Sequence, residues 1–360
     1  MPVYVAQKEH LEHNIQLIRK KAGSALVWGV LKGDGYGLGV VPMAKLLAAH
    51  GIDRFAVTAI EEVRQLRDAG FAEAPILMLR ATCDPEQIHE LLDLGAILTV
   101  GTDADAVAIN QVAAARSTVA EAHMKLDTGM GRYGFVPEED SFLEYYRSME
   151  HIAFTGIYTH FYEYSNRKVT ENQYRRFTEG VEKVRAAGID PGMVHCCNSG
   201  AFLRYPQMYC DAVRVGSALL GRMGSRSGGL KTVGYCEATV EEVRVLHKGD
   251  TCGYGGAWVA KQDTTVAVIG VGWWHGFSVN KGYDTWRPKD CLRGVLRELK
   301  ALIQGKHLCV TIGGKPRKVL GHVGMVNLVA DISGTDIQPG DRVIVPINPL
   351  LAHGMNVEFR

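Results

Sequence analysis

Residues Ala25-Leu26-Val27-Trp28-Gly29-Val30-Leu31-Lys32-Gly33-Asp34-Gly35-Tyr36-Gly37-Leu38-Gly39 run from a short apolar stretch into a lysine and four alternate glycines. An unbroken apolar run of this length reads as a strand buried on both faces, as parallel strands are. Seven similar runs follow: Phe55–Thr58, Ile76–Leu79, Ile97–Val100, Ala122–Leu126, Phe154–His160, Val194–Cys197 and Ala212–Val215. Helix-period segments separate them, among them Val41–Ala49, Ile60–Ala69, Pro85–Leu94, Ala104–Ala115 and Glu171–Ala187. Asp84, Asp103 and Thr170 stand where N-caps belong, and Gly70, Gly95 and Gly188 where helices should stop. Eight strands alternating with helices predict an α/β fold, a (β/α)8 TIM-type barrel. A doubly wound open sheet shares the alternation and is the rival architecture.

Beyond about Gly224 the pattern changes. Cys236–Val245, Thr265–Gly270, Leu308–Ile312, Leu328–Ile332 and Arg342–Ile347 are strand-like and separated by turns such as Lys248-Gly-Asp and Gln338-Pro-Gly-Asp. The expectation is a barrel over residues 1–224 and a mostly β C-terminal domain over 225–360. A basic, helical segment at 284–305 interrupts the second. The 360-residue length suits two domains.

With 40 Lys+Arg against 39 Asp+Glu, the formal net charge is +1. That balance argues against nucleic acid or a membrane surface as partner, since both select basic excess. No basic-then-apolar leader is visible, and the longest uncharged apolar stretch, Thr264 to Trp274, is well short of the ~18–20 residues that span a bilayer. The eight cysteines form no CxxC pair, which predicts reduced thiols, no metal centre and a cytoplasmic protein. Cys196 and Cys197, adjacent on a predicted strand, should point to opposite faces.

In a parallel barrel the active site gathers at the C-terminal ends of the strands. Lys32 ends the first strand, where desolvation can make it a nucleophilic amine able to form a Schiff base with an aldehyde. On the fifth strand, period-2 alternation puts His123, Lys125 and Asp127 on one face; buried charges there need partners or a function. Strand six ends at His160. The last two strands lead into Asn198-Ser199-Gly200 and Arg214-Val215-Gly216-Ser217, small residues that let backbone approach an anion closely. A lysine, an arginine and a phosphate cup suit pyridoxal 5'-phosphate (PLP).

At these residues the sequence resembles the alanine racemase family of fold-type III PLP enzymes. The carriers are Val30-Leu-Lys32-Gly-Asp-Gly-Tyr36-Gly, Lys125-Leu-Asp-Thr-Gly-Met-Gly-Arg132, Thr159-His160-Phe161, Asn198-Ser199, Val213-Arg214-Val215-Gly216 and Gly253-Tyr254-Gly255, in order along the chain. The resemblance implies that Lys32 would hold PLP and act as one base. The partner subunit's Tyr254 would be the base on the opposite face, and the enzyme a homodimer. His160 and Arg214 would form a chain behind them, with Arg214 also bonding the pyridine nitrogen. Tyr36, Ser199, Gly216 and Ser217 would hold the phosphate, with Asn198 beside them. Lys125 resembles a lysine often found as a carbamate, which would orient Arg132 near cofactor and substrate. Met325 would offer its backbone N–H to the substrate carboxylate.

Departures cluster near the substrate. Gly272-Trp273-Trp274-His275-Gly276, His322-Val323-Gly324-Met325-Val326 and Ile347-Asn348-Pro349-Leu350 differ from the usual family motifs. Asn348 resembles the serine racemases of vancomycin-resistance systems, and Trp273 would contact the substrate. The implied activity is interconversion of the L- and D-forms of a small amino acid, alanine or serine. A broad-specificity or basic amino-acid racemase is the nearest alternative. A non-catalytic PLP-binding protein would lack residues 225–360, and a decarboxylase of this fold would pair the pyridine nitrogen with a carboxylate instead of an arginine.

Overall fold

The structure, a computed structural model, describes residues 1–223, 228–279 and 286–360. The chain divides into two compact units, Lys8–Val233 and Met1–Gln7 with Gly234–Arg360. The expected boundary at 224/225 lies outside the described residues. The first seven residues belong to the second unit: β1 (Val3–Ala6) pairs antiparallel with the strand starting at Tyr235 and parallel with Asn356–Phe359. These partners are so distant in sequence that nothing local signals the pairing.

Lys8–Val233 is a parallel eight-stranded barrel. After α1 (Lys8–Ala22), the strands are β2 (Leu26–Val30), β3 (Arg54–Val57), β4 (Ile76–Met78), β5 (Leu98–Val100), β6 (Ala120–Leu126), β7 (Ile152–Thr159), β8 (Met193–His195) and β9 (Ala212–Val215). Their order is β4-β3-β2-β9-β8-β7-β6-β5. The Leu77–Ile97 bridge joins the two ends, with Met78 N donating to Ile97 O at 2.8 Å, so the ring closes and the open-sheet rival is excluded. Trp28, Val30, Ala56, Leu77, Ile97 and Ala212 fill the interior as a packed apolar core.

The outer helices are α2 (Val40–Ala49), α3 (Ile60–Asp68), α4 (Pro85–Asp93), α5 (Asp103–Ala115), α6 (Phe142–Ser148), α7 (Arg167–Ala186) and the short α8 (Ser199–Arg204). Asp84 caps α4 as expected, accepting from Glu86 N at 3.0 Å. Two expected caps move. Thr102, not Asp103, caps α5 through the Asp105 N–H. Asn166, not Thr170, caps α7, and Thr170 is buried one turn inside with its hydroxyl on Asn166 O at 2.8 Å. A threonine that bonds back to the preceding turn imitates a cap signal in sequence.

The second unit is a mostly antiparallel β-structure: β10 (Tyr235–Leu246), β11 (Thr251–Cys252), β12 (Trp258–Val259), β13 (Thr264–Ile269), β14 (Cys309–Ile312), β15 (Lys315–Leu320), β16 (Leu328–Asp331), β17 (Arg342–Val345) and β18 (Asn356–Phe359). Its main sheet runs β13-β16-β15-β14-β17-β10-β1-β18, and β10 also pairs with β13, closing six strands into a ring. Helix α9 (Pro288–Ile303) lies before β14. No helix among the described residues is long and apolar enough to cross a membrane.

Candidate active site

Lys32 follows β2, and the turn after it is left-handed: Gly33, Asp34, Gly35 and Tyr36 have φ of 65°, 51°, 61° and 59°. Left-handed backbone costs a residue with a Cβ roughly 1–2 kcal/mol, which explains the alternating glycines and the Asp at 34. The turn is tied down by the buried Glu62. Its carboxylate accepts from Asp34 N (2.9 Å), Thr58 N (2.9 Å) and Ala59 N (3.0 Å). Asp34 Oδ1 in turn accepts from Val40 N at 2.8 Å, starting α2. Lys32 therefore leaves a rigid support. Protein packed around its ammonium, and next the Arg132 charge, lower its pKa, with Glu62 opposing.

Eight expected barrel residues line one cleft of about 270 Å³: Lys32, Tyr36, His160, Asn198, Ser199, Arg214, Gly216 and Ser217. Ser199 Oγ accepts from Gly216 N (3.0 Å) and Ala218 N (3.3 Å), leaving its hydroxyl proton to donate elsewhere. Gly216 is needed sterically, since a Cβ there would lie 2.2 Å from Tyr36 Oη. Burial pushes the Tyr36 phenol up to about 12. Asn198 caps α8, with Oδ1 accepting from Gly200 N and Ala201 N and Nδ2 donating to Phe161 O. Tyr164, which sequence reasoning missed, also lines the cleft; a Cβ on Gly200 would meet its ring at 2.5 Å.

Arg214 is buried, and its terminal nitrogens are committed. Nη1 donates to His195 Nδ1 (2.7 Å) and His195 O (3.1 Å); Nη2 donates to Thr159 O (2.5 Å) and Cys196 O (3.3 Å). Its Nε has no acceptor among the described residues. The expected link to His160 is therefore replaced by one to His195, which sequence reasoning did not single out although it is an ionisable residue on a barrel strand. Because arginine only donates, His195 Nδ1 must accept, and its Nε2–H must donate to His123 Nδ1, 2.9 Å away. Burial, then the Arg214 charge, hold His123 down at about 3 and His195 well below its ordinary value. His160 makes no hydrogen bond with the described residues, and the same two causes lower it to about 3.

Lys125 is buried on β6 without an ion pair among the described residues. Its Nζ sits over the rings of Tyr133 (5.1 Å) and Tyr158 (5.3 Å). No ion pair with Asp127 forms, since Asp127 accepts from Gly129 N, Met130 N and Gly131 N. Burial first, then Arg132 and Arg214, bring Lys125 to about 7. The Arg132 guanidinium also lies over the Tyr133 ring, 5.9 Å from its centroid. Cys196 and Cys197 do not face opposite ways: β8 ends at His195, and both thiols reach Met208 O, at 3.1 and 3.2 Å.

The remaining expected residues lie in the second unit, in loops that interlock through glycines. A Cβ on Gly253 would meet His322 N at 2.7 Å, which brings the Tyr254 turn beside the Met325 loop. Trp273 N and Trp274 N donate to Gly324 O and Met325 O, joining that loop to Trp273. Gly276 approaches Leu351 O, just past Asn348, whose Oδ1 accepts from Leu350 N at 3.3 Å. Tyr254 is 77% exposed.

Comparison with known proteins places this architecture. The family model "Alanine racemase, N-terminal domain" matches residues 7–223, and "Alanine racemase, C-terminal domain" matches 233–349. An alanine racemase of Desulforamulus reducens is 30% identical over 348 residues, covering 94% of this chain and 87% of that protein. The solved alanine racemase of Clostridium difficile 630 superposes with a TM-score of 0.81 at 26% identity, covering 96% of this chain and 86% of that one. That of a D-cycloserine-producing Streptomyces lavendulae has a TM-score of 0.85 at 21% identity over 100% and 97% of the two chains, a likeness of fold. The chain belongs to the alanine racemase family.

Proposed function

We propose that this protein is a PLP-dependent racemase of a small amino acid, alanine or serine, working as a homodimer with Lys32 and Tyr254 as its two bases. The observation that carries the reading is the single cleft in which Lys32, Arg214 and the Ser199–Gly216 cradle converge. Three details fit the cofactor. The Ser199 hydroxyl proton is free for a phosphate oxygen, and a Cβ at Gly216 would fill the cradle. Arg214 Nε–H has no acceptor among the described residues and suits an unprotonated pyridine nitrogen. When bound, PLP supplies electron withdrawal that acidifies the substrate Cα–H.

The chain's own residues supply proton transfer and orientation. Racemisation requires a group that removes the proton on one face and a group that returns one on the other. Burial and the Arg132 charge lower the pKa of Lys32, which makes its amine easier to hold unprotonated and ready to accept a proton. The exposed Tyr254 phenol, from the second copy, donates or accepts on the other face. Arg214 remains a cation held by His195 and three carbonyls, so it donates without yielding its proton.

Lys125 at about 7 has a large neutral fraction. Its amine nitrogen bonds CO2 and releases one proton, forming a carbamate anion that would pair with Arg132. Asn348 uses Oδ1 internally, which leaves its Nδ2 donors for a substrate hydroxyl and favours serine as a second substrate beside alanine. The test is a panel of L-amino acids incubated with the PLP-loaded protein and analysed on a chiral column. Formation of D-alanine or D-serine above all others is expected. Turnover of only basic amino acids, or of none, would overturn the proposal.

A further inference from the structure

Helix α9 stands out from the rest of the second unit. Along its sixteen residues only Gly294 is buried. Leu292, Val295, Leu296, Leu299, Leu302 and Ile303 recur at spacings of three and four, which puts them on one face. They are exposed from 49% (Leu299) to 84% (Ile303), and Trp286, just before the helix, is 76% exposed. Scattered exposed leucines need no explanation, but a contiguous apolar stripe about 18 Å long marks an interaction surface. Trp286, Val295, Leu299 and Leu302 also line an open apolar cavity of about 500 Å³ beside the helix.

The charged side of the helix says what covers that face. Lys289, Arg293, Arg297 and Lys300, at spacings of four, four and three, form a basic stripe beside the apolar one. Asp290 pairs with Arg287 and Arg293, and Glu298 with Arg297, which leaves the segment from Arg287 to Lys306 with six cations against two carboxylates. In an antiparallel two-fold pair of such helices, each basic stripe would meet its own copy, and like charges so placed repel. An apolar stripe with Trp at one end and Lys/Arg alongside is the pattern of a helix lying in a bilayer interface, attracted by anionic headgroups. The near-neutral net charge of the whole chain conceals this local excess.

We propose that Trp286–Ile303 docks the protein on an anionic phospholipid bilayer, with the apolar stripe inserted among the acyl chains and the basic stripe at the headgroups. The test is flotation of the PLP-loaded protein with vesicles of equimolar phosphatidylglycerol and phosphatidylcholine, against vesicles of phosphatidylcholine alone. Binding only to the anionic vesicles is expected, with a blue shift of fluorescence that Trp286→Phe removes. Arg293→Glu/Arg297→Glu/Lys300→Glu should weaken binding by at least about tenfold, as should Leu296→Ser/Leu299→Ser, with unchanged thermal unfolding midpoints showing that both variants fold. No binding to the anionic vesicles, or equal binding to neutral ones, overturns the proposal. So does a serine variant that turns a dimer into a monomer in sedimentation while the wild-type protein ignores vesicles, because the face would then join two copies of the chain.

Discussion

Arg214 Nη1 donates to His195 Nδ1 at 2.7 Å, and this one contact sets the tautomers of His195 and His123 in turn. Both rings are neutral because burial opposes their charging and a fixed cation sits beside them. The consequence is a pH dependence of stability with a definite sign. Unfolded histidine titrates near ~6.5, while folded His123 takes up its proton only at about 3. Between those values the unfolded state binds more protons, so stability is lost as pH falls. His123→Gln should remove roughly 1.4 kcal/mol per pH unit from the slope of unfolding free energy between pH ~4 and ~6. Urea unfolding at several pH values measures it, and an unchanged slope would show that His123 is not held neutral.

Lys125 carries the next expectation. Burial and two neighbouring guanidinium groups make its amine neutral enough to react with CO2. Carbon-13 NMR of protein equilibrated with labelled bicarbonate should show a carbamate signal that is missing from Lys125→Ala. Activity of that variant should drop about tenfold or more, because Arg132 would lose an anionic partner worth at least ~1.4 kcal/mol. A labelled wild type with no such signal rules the carbamate out.

The two bases separate by spectroscopy. Lys32→Ala should lose the visible absorbance of covalently held cofactor together with activity. Tyr254→Phe should keep the absorbance and lose about 10²–10⁴-fold in racemisation, the usual worth of a positioned proton-transfer group. Full activity in Tyr254→Phe would falsify the two-base assignment.

Gly216→Ala tests the phosphate cradle. Its Cβ would land 2.2 Å from Tyr36 Oη, so either the tyrosine or the loop must shift. A displacement near 1 Å in a preorganised site is worth on the order of 10²-fold. Fluorescence titration with PLP should show affinity weakened by at least about tenfold. Unaltered affinity would mean that the phosphate is held elsewhere.

The barrel was legible because most of its strands are short apolar runs bounded by local caps and turns. Lys32, Arg214 and the Ser199 and Gly216 loops were legible because strand ends are where such barrels do chemistry. What escaped was set by distance. His195 reads as one more residue of an apolar strand until Arg214, nineteen positions on, is folded against it. Glu62 looks like a surface residue of an amphipathic helix, yet it is buried and holds the Lys32 turn. Strand β15 carries three cations and Pro316, and β18 carries Asn356 and Glu358, which blurs their alternation.

The pairing of Val3 with Asn356 on one edge and Glu237 on the other has a kinetic meaning. During synthesis, β1 leaves the ribosome before the barrel but finds one neighbour only after the whole barrel has been made, and the other only when β18 emerges. Its apolar side chains must wait through that interval with unpaired backbone at both edges. The four residues are few, and a strand so short is a poor template for pairing with another chain. Brevity there protects a segment whose proper neighbours arrive last.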